Sequence, residues 1–366
     1  MSFLPFAGLR LIRPLLVPLR ALVRGQWLRE SDVDALLRAC HRGWALDRVY
    51  ARVEARQWVA DDMLELRLRP NANWRGARPG QHVQLYVERE GVRCSRSYSL
   101  TRMAEDGCLE FAVKLQPGGR VSSYLLHQLC VGEMLELGAA DGDLSWPQDE
   151  QGVLLLAAGS GLTPLLGLLR EALVRGYSGP VTLLHYVRER GQKAFVDGLE
   201  TLARQHPNLE LRWALSGDAP VDDELRGRFH PGHVQGLGER HVLACGPGGF
   251  VDSVRQALGA SSRSLQLESF SPPSWDEGEP ARSVNLRFAR SALEVAGDSR
   301  RSLLEQAEAS GLRPAHGCRQ GVCASCTCTL VSGCVRDLRS GELFSEPGQP
   351  IRICVSAPQG DLTVDL

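Results

Sequence analysis

Lysine is nearly missing from this chain. Of 42 basic residues only Lys114 and Lys193 are lysines, and the rest are arginines. A surplus of either charge is missing too: 43 acidic residues bring the net charge to −1, so no global field draws in nucleic acid. Aromatic residues are 6% of the chain. No apolar run approaches the ~20 residues of a membrane-spanning helix. The first acidic residue is Glu30, so "FLPFAGLRLIRPLLVPLRALVRG" carries Arg10, Arg13, Arg20 and Arg24 unopposed. It offers no small-residue cleavage site and its apolar stretch is broken by Arg, which argues against a signal peptide. Residues 1–30 therefore read either as a basic amphipathic segment lying on a membrane surface or as a helical arm packed on the body. Pro14 and Pro18 argue against one long helix.

What the chain does have is length and cysteine. Its 366 residues, 43% of them hydrophobic, suffice for two or three domains with real cores. Eleven cysteines, odd in number and bunched toward the C-terminus, argue against a secreted disulfide framework and for thiolates on a metal in a reducing compartment. The expected location is the cytoplasm, with or without peripheral attachment at the inner face of the membrane.

The rhythm changes along the chain. Residues 1–47 form an N-terminal helical extension. Residues 48–147 alternate in short strands with turn signals, as in an antiparallel β-barrel. Residues 148–270 alternate apolar strands with helical segments, the pattern of a parallel α/β sheet. Residues 271–280, "SPPSWDEGEP", read as an extended linker. Residues 281–366 form a small α+β unit, with two strands, a turn at 289–291 and a helix for which Ser299 is the expected N-cap.

The chemistry begins at "HGCRQGVCASCTCTL". Cys318, Cys323 and Cys326 are spaced C-x4-C-x2-C, which with a distant fourth cysteine, Cys354, is the spacing of plant-type [2Fe–2S] ligands. Gly317, Gly321, Ala324 and Ser325 leave room for close backbone approach. Zinc is the competing metal, although its sites favour paired C-x2-C knuckles. Cys328 and Cys334 read as small strand residues after the loop. Such a cluster takes one electron, whereas pyridine nucleotides deliver two, so a flavin is expected upstream.

Three short motifs answer that expectation. In "RSYS", Arg96 offers a fork to a pyrophosphate, Tyr98 a flat face and Ser99 a hydroxyl. In "AAGSGLTP", glycines lie where a strand meets a helix and Pro164 suits a first helical turn. "LACGPGGF" repeats the strand–glycine–helix plan. None is G-x-G-x-x-G; alone, RSYS reads equally as an ordinary strand with an outward Arg and an inward Tyr, and each glycine motif as a tight turn.

Together, in this order, RxYS, GxGxTP and CGPxxF resemble the ferredoxin–NADP reductase superfamily over about residues 48–270, and C-R-x-G-x-C-x-x-C resembles a plant-type ferredoxin (β-grasp) domain. The resemblance implies FAD held by Arg96, Tyr98, Ser99, Gly119, Val121 and Ser122. It implies a dinucleotide held by Gly159, Ser160, Gly161, Thr163 and Pro164, with Cys245, Gly246, Pro247 and Phe250 beside the nicotinamide. Ser99 and Cys245 would be the catalytic pair, and Phe270 the aromatic that reaches the flavin in ferredoxin-fused members. Arg188, Arg190 and Lys193 are candidates for a 2′-phosphate, favouring NADPH over NADH, and read equally as a solvated charge run.

The expected activity is NAD(P)H:acceptor oxidoreduction in a monomer, with electrons passing from NAD(P)H to FAD to [2Fe–2S] to a protein acceptor. The N-terminal extension and "GVRCSRSYSL" resemble bacterial electron-transfer partners of fatty-acyl desaturases. The alternatives are the reductase component of an aromatic-ring or haem oxygenase, and a metal-stapled redox sensor without turnover.

Overall fold

The computed structural model describes residues 7–89, 92–237, 239–270, 281–317, 319, 321 and 325–366; of residues 7–15, 89 and 92 only the backbone is described. The expected linker 271–280 and the ligand candidates Cys318 and Cys323 lie outside the described residues. The chain divides into two compact units, Met1–Gly246 with Asp252–Glu268, and Ser269–Leu366 with Pro247–Val251.

The first unit opens with helices α1 (Ala7–Arg24) and α2 (Glu30–Cys40). The expectation that Pro14 and Pro18 would interrupt the first helix is not met: α1 runs through both. Each proline removes one i→i−4 bond, but packing offsets the loss. Leu16 and Val33 join the fully buried Leu46, with Leu19, Val23 and Leu37 against them. Arg20 ties the helix to Asp47 at 3.0 Å and to the Leu46 carbonyl at 2.6 Å.

Six antiparallel strands then close a barrel in the order β1-β2-β5-β4-β3-β6. They are β1 (Val49–Ala60), β2 (Met63–Pro70), β3 (His82–Arg89), β4 (Val92–Met103), β5 (Leu109–Lys114) and β6 (Met134–Asp141), with α3 (Arg120–His127) between β5 and β6. Inward residues such as Val53, Leu66, Leu85 and Phe111, with Val121 and Leu125 of α3, make its core. Closure leaves no free edge.

The second half of this unit is an α/β sheet in the order β10-β9-β8-β7-β11-β12. Its elements are β7 (Val153–Ala158), α4 (Leu162–Val174), β8 (Val181–Val187), α5 (Val196–Gln205), β9 (Leu209–Leu215), β10 (Leu225–Arg226), β11 (His241–Gly246), α6 (Gly248–Leu258) and β12 (Ser264–Ser269). The strands from β10 across to β11 are parallel. β7, β8 and β11 are buried almost along their length, which is why they read as continuous apolar runs. Helix α4 lies on the barrel: a Cβ at Gly167 would meet the Leu100 carbonyl at 2.3 Å, and Arg170 donates to the Thr101 carbonyl at 3.2 Å.

The C-terminal unit has a five-stranded sheet, β14-β13-β20-β15-β18, and a three-stranded one, β17-β16-β19. Its elements are β13 (Ser283–Phe288), β14 (Leu293–Asp298), α7 (Leu303–Ala309), β15 (Thr327–Ser332), β16 (Val335–Asp337), β17 (Leu343–Phe344), β18 (Pro350–Arg352), β19 (Ser356–Pro358) and β20 (Leu362–Val364). Leu303, Leu304 and Ala307 of α7 pack with Leu286, Phe288, Leu330 and Val355. The N-cap of α7 is Ser302, whose Oγ accepts from Glu305 N–H at 3.3 Å, and not Ser299. Ser299 Oγ instead accepts from Arg282 N–H at 3.0 Å. A turn around Asp298, whose carboxylate accepts from Arg300 N–H, delays the helix by one turn.

Candidate functional site

Tyr98 and Ser99 sit just past the middle of β4, where alternation in β4 and pairing with β3 fix their register. Val83 faces Tyr98, and the buried His82 faces the buried Ser99. Tyr98 packs partly against the barrel core. Burial pushes its phenol well above the ordinary range, a shift that nearby Arg96 partly offsets. Arg96 is exposed and donates to the Ser95 carbonyl at 2.7 Å.

Gly119 precedes α3 with no side-chain cap. A Cβ there would lie 2.7 Å from Ser122 Oγ and 2.9 Å from the Gln116 carbonyl. Ser122 Oγ accepts from Gln116 N–H at 3.2 Å, while Val121 is buried in the barrel core. A flat, partly open phenol, an exposed guanidinium and an uncapped helix start fit a flavin dinucleotide, which needs a stacking face and anion donors.

The glycine turn after β7 is tight. Gly159 is left-handed, with φ +54, and Gly159–Gly161 form one 3-10 turn before α4. A Cβ on Gly161 would fall 1.9 Å from the Cys245 carbonyl oxygen, so this turn abuts the end of β11. Thr163 is buried, and its Oγ1 donates to the Ser160 carbonyl at 2.9 Å. Pro164 lies in the first turn of α4. Gly246 ends β11, and Phe250 N–H donates to the Pro247 carbonyl at 3.0 Å as α6 begins. Phe270 follows β12.

Cys245 is buried, and burial pushes its thiol well up, with the Glu268 charge adding to the shift. Glu268 is a residue that sequence reasoning missed. Its carboxylate Oε1 lies 3.7 Å from His82 Nδ1. Burial and then the Asp143 charge raise its carboxyl to about 7. Gln266, two residues earlier on β12, accepts from Ser145 N–H at 3.0 Å and donates to the Ser145 carbonyl at 2.9 Å; this clip holds β12 beside the segment that carries Asp143. The available signal was an acid in "LESF", two places before the aromatic.

Of the three basic residues offered for a 2′-phosphate, two are engaged. Arg190 binds Glu224 at 2.8 Å; Lys193 pairs with the same carboxylate and lies 5.0 Å over the Trp213 ring. Arg190, and then Lys193, hold Glu224 down at about 2. Arg188, just beyond β8, is exposed.

In the C-terminal unit Cys326 and Cys354 are 3% and 5% exposed, within one core cluster. Ile353 N–H donates to the Cys326 carbonyl at 3.3 Å, which brings the two cysteine segments side by side. Gly321 is left-handed at φ +74, and a Cβ there would meet Val355 Cγ2 at 2.7 Å. Arg339 and Arg352 both donate to the Gly321 carbonyl, and so pin the loop. Two buried thiols and a loop that only glycine fits suit a thiolate-ligated cluster. Burial, and then the charge of Cys326, push the Cys328 thiol up to about 12. Among the described residues no three candidate ligands cluster; Cys318 and Cys323 are not among them.

Comparison with known proteins agrees with this layout. The family model of the oxidoreductase FAD-binding domain matches residues 51–146, that of the oxidoreductase NAD-binding domain residues 155–256, and that of the 2Fe-2S iron-sulfur cluster binding domain residues 287–359. An NADPH oxidoreductase of Mycobacterium tuberculosis is 32% identical, covering 91% of this chain and 88% of its own. The ferredoxin reductase component of a 3-ketosteroid-9-alpha-monooxygenase from the same species is 32% identical over 77% of this chain and 83% of its own. The solved phthalate dioxygenase reductase shares the fold, with a TM-score of 0.59 at 23% identity, over 87% of this chain and 98% of its own.

Proposed function

The chain belongs to the ferredoxin–NADP reductase superfamily, in the group with a C-terminal [2Fe–2S] ferredoxin domain, and we propose that it feeds electrons from NADPH to an oxygen-activating protein acceptor. It is an NAD(P)H-dependent oxidoreductase with FAD-binding, NAD-binding and [2Fe–2S] domains. The observation that carries the reading is the meeting of the Gly161 turn with Cys245, in the same compact unit as Ser99, His82 and Glu268.

Bound FAD would supply the conversion between two-electron and one-electron transfer, and a bound [2Fe–2S] cluster one-electron carriage. The residues of this chain orient and enclose. Arg96 and the α3 start at Gly119, Val121 and Ser122 hold the flavin phosphates, and Tyr98 its ring. Gly159, Ser160, Gly161, Thr163 and Pro164 hold the dinucleotide, while Gly246, Pro247 and Phe250 flank it. Ser99 and the neutral Cys245 thiol shape the contact between the two rings, where placement within ~3–3.5 Å does most of the catalysis. Glu268 keeps a proton near neutrality at its carboxyl. Arg188 meets the 2′-phosphate, which is the argument for NADPH. Cys318, Cys323, Cys326 and Cys354 would ligate the cluster.

Similarity to a monooxygenase reductase component supports an oxygenase-type acceptor. The N-terminal helices favour a narrower one, a fatty-acyl desaturase reached at an anionic membrane surface. Val17, Trp27 and Leu36 are 60%, 82% and 71% exposed, beside the exposed Arg24 and Arg29. An outward tryptophan flanked by arginines suits a headgroup boundary. Among the described residues no helix is long and apolar enough to cross a membrane.

The deciding experiment is reconstitution in two arms. NADPH-dependent turnover of a membrane desaturase in anionic vesicles, reduced by Trp27→Ser with Arg24→Glu while ferricyanide reduction is kept, supports the narrower acceptor. Turnover only with a soluble oxygenase removes it. Failure of both NADPH and NADH to bleach the visible spectrum would sink the relay itself.

A further inference from the structure

His185 is the penultimate-but-one residue of β8 and is 1% exposed. Its Nε2 lies 3.0 Å from the Gly159 carbonyl oxygen. A carbonyl only accepts, so Nε2 carries the proton and the ring donates. His185 Nδ1, likewise buried, has no hydrogen-bond partner. The ring is neutral: burial is the largest cause, and the two lysines of the chain, Lys114 on β5 and Lys193 after the Arg190–Gln192 turn, add to it, bringing its pKa to about 4.

The consequence lies one atom further on. Gly159 and Ser160 both have their carbonyls tied inward, the first by His185 and by Leu162 N–H, the second by buried Thr163. In a trans peptide the next N–H points opposite to the C=O, and no peptide in the described residues is cis. The N–H groups of Ser160 and Gly161 therefore point away from His185 and Thr163. A turn whose carbonyls are tied on one side and whose N–H groups point to the other favours an anion.

We infer that His185 is a positioning residue for the dinucleotide: by holding the Gly159 carbonyl it turns the following N–H groups toward the pyrophosphate. The inference rests on the pyridine-nucleotide reading of this turn.

The test compares His185→Phe, which removes the donor, with His185→Gln, which keeps an amide donor. NADP+ affinity is read by titration calorimetry and paired with steady-state ferricyanide reduction. Losing one such hydrogen bond predicts about a tenfold weaker Kd and a matching rise in KM for NADPH in the Phe variant. Bound flavin is unchanged, and kcat at saturation stays within about twofold because the bond is formed alike in ground and transition states. His185→Gln restores most of the affinity. If the Phe variant does not accumulate, His185→Met takes its place in the same comparison. Wild-type affinity in the donor-less variant, or a Gln variant no better than Phe, overturns the inference. Wild-type protein that binds neither NADP+ nor NAD+ would instead overturn the nucleotide reading.

Discussion

Gly161 and Cys245 leave no room between them: a Cβ on Gly161 would sit 1.9 Å from the Cys245 carbonyl oxygen and 2.4 Å from its carbon. Both atoms met are backbone, so no side chain can swing aside. Gly161→Ala must push the turn and β11 apart by more than an ångström. Displacements of that size cost on the order of a hundredfold in a step governed by orientation. The expected result is that flavin reduction by NADPH slows by that order in stopped flow, with flavin content retained. An alanine variant reduced at the wild-type rate would show that this contact does not set the geometry.

Glu268 gives the site a pH-dependent cost. Its carboxyl is raised to about 7, first by burial and then by Asp143. The folded state thus binds a proton that the unfolded chain gives up at its ordinary value of 4.5. The stability linked to that proton is fully present below pH ~4.5 and lost as the pH rises through about 7. Glu268→Gln removes the titration. Measured by denaturant unfolding at pH 5 and pH 8, the variant should gain on the order of 2 kcal/mol on wild type over that interval. Parallel pH profiles for the two proteins would count against a buried, raised carboxyl.

The legible parts of this chain were those where local pattern and final environment agree. β7, β8 and β11 read as apolar runs because they are buried on both faces, and the barrel strands read as alternation because one face is core. The motifs placed Gly161 and Cys245 in one site because a close approach demands glycine whatever surrounds it. Glu268 was missed because its character comes from burial beside Cys245 and from Asp143, which lies 125 positions earlier in the sequence. The basic run at Arg188–Lys193 read either as a phosphate site or as a solvated charge run, and Glu224 on a later segment takes two of its three charges. Pro14 and Pro18 misled for a similar reason: the packing that keeps α1 helical comes partly from Leu46, beyond α2.

Asn73 should decide whether the N-terminal extension stays seated. Its amide donates to the carbonyls of Ala45 and Arg48, both at 3.0 Å. Asn71 donates to Gly43 at 3.0 Å. Asn73→Ala takes the donor from the buried Ala45 carbonyl, at about 1–3 kcal/mol, while the Arg48 carbonyl keeps the Asn71 amide at 3.2 Å. The loss is local, so limited proteolysis is the sensitive assay: cleavage within residues 40–48 should accelerate while the barrel keeps its flavin. Equal cleavage rates would mean that Leu46 packing alone holds the segment.

Cysteine substitutions separate ligand from bystander. Cys354 is buried beside the Cys326 segment, whereas Cys328 lies on β15 and outside the C-x4-C-x2-C spacing of the ligand candidates. Cys354→Ser should lower iron and sulfide content and abolish NADPH-dependent reduction of a protein acceptor. It should leave NADPH–ferricyanide activity, which needs only the flavin half, near the wild-type level. Cys328→Ser should keep full iron content and both activities, since only small core packing changes. Iron lost from the Cys328 variant but kept by the Cys354 variant would exchange the two assignments. Zinc in place of iron and sulfide in the wild type would return the site to the tetrahedral alternative, and the protein-acceptor activity would then need another carrier.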